Sequence, residues 1–191
     1  MQNNSTALSH KRVLGVAIPI VLANATIPIL GAVDTAVVGQ LGLAVPIGAV
    51  GIGAIIITAI YWLFGFLRMG TTGLTAQAIG SGDKSETSAL LVRGIIIGVV
   101  AGLILIVTQV PVFLGALQLS PASIEVEDLA QKYLQIRVYS APAAIALFGI
   151  TGWLIAKEKT RAVLLLQLVL NGINIVLDLV FVLKLGWGVE G

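Results

Sequence analysis

Cysteine is absent from this chain of 191 residues, which excludes a disulfide scaffold, a thiolate zinc site and an iron–sulfur cluster. Histidine occurs once, at His10 in the polar N-terminal stretch, so a multi-histidine metal site is excluded as well. Charge is scarce. Only 10% of the residues are Asp, Glu, Lys or Arg, against roughly 25% in soluble domains, whose water-facing surface needs charge. The formal net charge of +2 is small and spread along the chain, which is no footprint for nucleic acid. What is there instead is apolar: 58% of the residues are hydrophobic and the mean hydropathy is +1.05. The solvent that suits such a chain is mostly lipid.

A span needs about 20 apolar residues. Five are predicted: Val13–Gly39, Pro46–Leu67, Gly94–Leu117, Tyr133–Ile155 and Ala162–Leu183. Helices are expected, because each satisfies its own backbone inside lipid, and the alternation of barrel strands is absent. The fold class is therefore all-α, a polytopic membrane helix bundle. Lys11 and Arg12 precede the first apolar run, and Ala23-Asn24-Ala25 loosely fits a cleavage site. The run continues to Gly39, beyond the roughly 7–15 residues of a signal-peptide core, so it reads as a retained span.

Basic residues set the orientation. Lys11 and Arg12, then Arg68, Lys84 and Arg93, then Lys157, Lys159 and Arg161 fall on one side and make eight of the eleven Lys and Arg. Lys132, Arg137 and Lys184 fall on the other, with Glu125, Glu127, Asp128 and Glu190. The positive-inside rule then puts the N-terminus in the cytoplasm. In the outer connection "LSPASIEVEDLAQKY", Ser120-Pro121 and Ser123 with acidic residues behind them predict the start of a short interfacial helix. The closing "KLGWGVEG" reads as a turn awaiting another helix, so the chain is expected to be a fragment or shortened form.

Two of these spans hold carboxylates. An aspartate at a span centre costs roughly 2.5–3.5 kcal/mol on insertion scales, and an intramembrane ionisable residue is a functional-site hypothesis by default. Asp178 lies in "LLLQLVLNGINIVLDLVFVL" and Asp34 in "PILGAVDTAVVGQLG". At 100° per residue, Gln167, Asn171, Asn174 and Asp178 form one polar line on span 5. The amides alone suit interhelical hydrogen bonding, but an asparagine would do that work more cheaply than Asp178. Both carboxylates sit near the outer ends of parallel spans, with no Lys or Arg at that depth in either span. If the spans pack together, the partners are each other sharing a proton, a bound cation, or water. Burial and a neighbouring negative charge both raise proton affinity, and oxygen ligands suit a hard cation.

Pro19 and Pro28 in span 1 remove backbone donors. They read as static kinks or as hinges reshaping a cavity around Asp34. Gly94, Gly98 and Gly102 share one face of span 3, a surface for close helix packing.

The stretches "VDTAVVGQLG", "LTAQAIGSGDKSE" and "NGINIVLDLVFVLKLGWGVEG" together resemble the multidrug and toxic compound extrusion (MATE) family, in particular its DinF-like branch. The resemblance covers nearly the whole chain, with the motifs in the family's order and spacing. It implies a secondary antiporter of twelve helices in two six-helix lobes, residues 1–191 giving most of the N-terminal lobe. The C-terminal lobe is expected but absent from this chain. It further implies export of small organic, often cationic, compounds in exchange for protons or sodium, with no cofactor, in a bacterial plasma (inner) membrane. Asp34 matches the family's span 1 aspartate, and Asn174 and Asp178 its span 5 pair. Tyr133 matches a tyrosine of the same cavity and Pro19 a bending proline. Sodium, if it is the coupling ion, is expected at Asp34, Asn174 and Asp178; no other metal is.

Two alternatives compete. A lipid-linked precursor flippase of the same superfamily should line its cavity with Arg and Lys to hold phosphates, and none is expected at cavity depth here. A non-transporting membrane scaffold needs no paired carboxylates at matched depth. No Ser–Lys, Ser–His or His–Glu–x–x–His arrangement falls within the spans, so no enzyme activity is expected.

Overall fold

The computed structural model describes residues 10–40, 44–119 and 122–186; at Lys11, Arg12, Ile27, Pro28, Leu30, Asp34, Thr35, Val38 and Leu183 it describes the backbone alone. The expected helix start at Ser120-Pro121, the Leu41-Gly42 that closes the first motif, and 187–191 with Glu190 lie outside these residues.

Every regular element among the described residues is helical. The helices are α1 (His10–Gly39), α2 (Ala44–Leu63), α3 (Gly65–Gly80), α4 (Lys84–Val107), α5 (Gln109–Gln118) and α6 (Ile124–Arg137). A 3₁₀ turn at Val138–Ser140 leads into α7 (Ala141–Ala156), and α8 (Thr160–Asp178) runs into a π-helical turn at Leu179–Lys184. Five helical stretches are long and apolar enough to cross a membrane: Val13–Val33, Ala44–Gly80, Lys84–Val107, Ile124–Ala156 and Thr160–Val182. The chain is an all-α, polytopic membrane bundle.

Several helices outrun the expected spans. Beyond Leu67, the sequence predicts that "MGTTGLTAQAIG" connects spans 2 and 3, yet it is helical to Gly80. The helix tightens at Phe64, whose N–H bonds the Tyr61 carbonyl at 2.9 Å, and then continues. Thr72 sustains it by donating to the Arg68 carbonyl at 2.8 Å. The α3–α4 turn then closes sharply. Gly82 takes φ 75°, and the N–H groups of Gly82 and Asp83 return to the carbonyls of Ile79 and Ala78 at 3.1 and 2.9 Å. That pairing satisfies the last orphan acceptors of α3, and glycine is the residue that takes the left-handed position without strain. Asp83 caps α4, its Oδ1 accepting from the Glu86 N–H at 2.8 Å. Because of this cap, α4 starts at Lys84 rather than Gly94. At the opposite end of the α4–α5 segment, Ser123 holds the extended N-cap backbone of α6, and α6 runs on through the 3₁₀ turn into α7.

Packing follows small residues. Lipid tails supply little hydrophobic drive between helices, so close approach and dispersion decide the pairings. Gly94, Gly98 and Gly102 of α4 are all buried. A Cβ added at Gly98 would clash with the Ala146 backbone, and one at Gly102 with Pro142, both on α7. Gly149 returns the contact against Gly94. One turn further along α7, Gly152 sits against the Arg68 carbonyl of α3. The α2–α6 pair meets where Gly53 admits the Tyr133 ring, and α1 packs along α8 and reaches the π turn. A core of Ile56, Leu105, Phe113, Leu134, Val138 and Ile145 fills the centre. Outward faces stay apolar: Ile55, Trp62 and Leu63 of α2 and Ile173 and Val176 of α8 are exposed.

Candidate functional site

The site is built on α8. Helical spacing brings Gln167, Asn171, Asn174 and Asp178 to one line, as the sequence predicts. Gln167 Nε2 donates to Asn171 Oδ1 at 3.0 Å. Asn171 is only 7% exposed, and its Nδ2 finds no acceptor among the described residues. One turn on, Asn174 Oδ1 is buried and has no donor among them. Asp178 follows, with its Oδ2 buried. Leaving a buried polar atom unpaired costs about 1–3 kcal/mol, so Asn171 and Asn174 hold polar capacity that packing among the described residues does not use.

Directly after Asp178 the helix changes its winding. The π turn is closed by the Leu185 N–H to the Val180 carbonyl at 2.9 Å. Such bulges recur at functional sites because they shift the register of the side chains and free carbonyls around them. No sequence pattern announced this one.

Of the other expected site residues, Asp34 and Pro28 lie in α1 at positions where the backbone alone is described. Their helix packs on α8, as a site shared by the two spans requires. Pro19 is buried, and α1 is helical through it. Tyr133 lies on the α2–α6 pair: its ring packs on Gly53, and the Arg137 guanidinium stands 6.0 Å from the ring centre.

One expectation is corrected. The sequence predicts Arg68 in the connection between spans 2 and 3, just beyond Leu67. Arg68 belongs instead to helix α3 and lines a cavity of about 200 Å³ between α1, α2, α3, α7 and α8. Asn24, Tyr61, Thr151 and Gln167 are its other polar lining residues. The signal was missed because glycine and threonine just beyond Leu67 read as a loop. The available cue was the lack of any proline between Leu67 and Gly80.

The chain's relatives agree with this architecture. The MatE family model matches residues 19–180. DNA damage-inducible protein F of Escherichia coli (strain K12) is 38% identical over 183 residues, covering 96% of this chain and 40% of that protein. Protein DETOXIFICATION 44, chloroplastic, of Arabidopsis thaliana is 28% identical and covers 94% and 36%. Among solved structures, a MOP superfamily transporter from Pyrococcus furiosus superposes with a TM-score of 0.84 at 24% identity, covering 94% of this chain and 40% of that one. An outward-facing multidrug resistance MATE family transporter of the MOP superfamily gives 0.82 at 25% identity, with the same coverage. The chain thus spans about 40% of the length of these transporters. With a family match across most of its length and the same helical fold, this chain is an integral membrane protein that belongs to the MatE family.

Proposed function

We propose that this chain forms most of the N-terminal lobe of an ion-coupled antiporter, which exports small organic, often cationic, compounds in exchange for protons or sodium. One observation carries the reading: the buried Asn174 Oδ1, without a donor among the described residues, stands one turn from Asp178, on the helix that packs against the helix of Asp34. Carbonyl and carboxylate oxygens at such a place suit a hard cation, and a carboxylate in low dielectric gains affinity for a proton. Asn174, Asp178 and Asp34 would hold the ion, with Asn171 and Gln167 continuing the polar line, and Tyr133 at the cavity wall. Pro19 and Pro28 would let α1 flex between the ion-bound and ion-free states. Differential affinity of the ion for those two states is what moves the equilibrium.

The membrane in this proposal is a bacterial plasma membrane, with the α1 N-terminus in the cytoplasm, on the eight-to-three basic bias. The test is transport by the complete transporter that carries this lobe, reconstituted in proteoliposomes. Imposing either a proton or a sodium gradient should accelerate export of a cationic dye. Export indifferent to both gradients contradicts ion coupling.

A further inference from the structure

A guanidinium in apolar surroundings needs a counter-charge or a set of acceptors, because its five donors stay protonated whatever the local environment. Arg68 has neither among the described residues. It makes no ion pair there, and the hydrogen bond it takes part in uses only its backbone carbonyl. Nor is it free to swing away with its helix. Thr72 Oγ1 donates both to the Arg68 carbonyl and to the Gly152 carbonyl of α7, at 2.8 and 3.2 Å. A Cβ at Gly152 would come within 2.5 Å of the Arg68 oxygen, so α3 and α7 are locked together at this level. The lock fixes the edge of the cavity that Arg68 lines.

The cavity has one cation and no carboxylate among its lining residues. Asn24 adds a neutral group able to donate, the Tyr61 hydroxyl donates to Ser140 Oγ at 3.3 Å, and Leu147, Phe148 and Val163 supply an apolar wall. At about 200 Å³ it falls short of the roughly 300–1,000 Å³ that hold a drug-sized ligand. It suits a head group with a short stem. It is also remote from the acidic end of α8: only Gln167 of the polar line reaches it, and the eleven residues from Gln167 to Asp178 span roughly 16 Å of helix.

We propose that this cavity is an anion subsite that takes the carboxylate or phosphate head of an amphipathic anion, with Arg68 as its charge partner. Arginine matches both heads in a bidentate geometry. Asn24 completes the donor set, and Phe148 with its neighbours holds the adjoining methylenes. Such a ligand comes from two sources, a soluble organic anion or an anionic lipid. The subsite is independent of the cation line and stands whether or not the lobe couples export to an ion.

The experiment titrates hexanoate, hexanol and hexylamine onto the whole chain in uncharged maltoside micelles, followed by calorimetry. Hexanoate should bind the wild type in preference to the other two. Arg68→Gln should weaken hexanoate at least about tenfold, the loss of a charge-assisted pair, and Arg68→Lys should recover part of it. A second arm adds phosphatidylglycerol to the micelles. Displacement of hexanoate from the wild type, with no phosphatidylglycerol effect on Arg68→Gln, identifies the lipid head as an occupant. Binding of hexanoate without displacement identifies the soluble anion. Equal behaviour of wild type and Arg68→Gln in both arms overturns the subsite and leaves Arg68 an interfacial cation. Should Arg68→Gln fail to fold, Asn24→Leu gives the same decision: it narrows the cavity and removes a donor, so undiminished hexanoate binding overturns the proposal.

Discussion

Asn174 is where stability and function pull apart. Its Oδ1 is buried without a donor among the described residues, an arrangement that costs about 1–3 kcal/mol. A side chain retained only for packing would relieve that cost by becoming apolar. Asn174→Leu is therefore expected to unfold at higher temperature than the wild type in detergent, with a gain on the order of 1 kcal/mol. A clear loss of stability in thermal melts would mean that the amide oxygen is bonded in the folded lobe. The other residue-level lesson is Arg68. Seen as sequence, it follows the apolar run of span 2 and precedes glycine and threonine, which reads as a basic loop. Seen in the fold, it lies inside a helix and against a cavity. Positive charge near a span end marks topology and site chemistry alike, and composition does not separate the two.

Elements were legible wherever one helix carried its own signal. The apolar runs gave five spans, and the 3.6-residue period gave the polar line on α8. The pairing of spans 1 and 5 followed from carboxylates at matched depth, and α1 does pack on α8. The glycine face of α4 was legible as a close-packing surface, but its partner was not. That depends on Pro142, Ala146 and Gly149 arriving opposite it from α7, a tertiary fact. Helix ends were poorly legible, since capping at Asp83 and the tight path through Phe64 override the polar composition around them. The π turn after Asp178 left no trace in periodicity at all. The α4–α7 contact gives a direct test. Gly98→Leu should destabilise the bundle by several kcal/mol, beyond the 1–3 kcal/mol usual for overpacking, because the atoms it meets are backbone. Gly115→Ala in α5, where an added Cβ meets nothing within 4 Å, should stabilise by up to about 1 kcal/mol through helix propensity. Thermal unfolding of the two variants in parallel checks both signs. Equal melting temperatures would show that α4 and α7 do not meet through Gly98.

For the molecule as a whole, topology and coupling are what the proposed transporter must satisfy. The turn at Ser81–Asp83 and the start of α6 at Ile124 lie at opposite ends of the α4–α5 segment. Cysteines introduced at Ser85 and Ser123 should react with an impermeant maleimide from opposite sides of the membrane, Ser123→Cys from outside. Labelling of both from one side would break the orientation derived from the basic residues. The central claim is that the acidic end of α8 is where the driving ion acts, and Asp178→Asn tests it most directly. The substitution keeps the size of the side chain and removes its charge. In proteoliposomes holding the complete transporter, the variant should insert and fold, and still let a cationic dye equilibrate. Under an imposed proton or sodium gradient it should no longer concentrate that dye. Gradient-driven accumulation by Asp178→Asn equal to the wild type would contradict the account and leave Asp178 a packing residue.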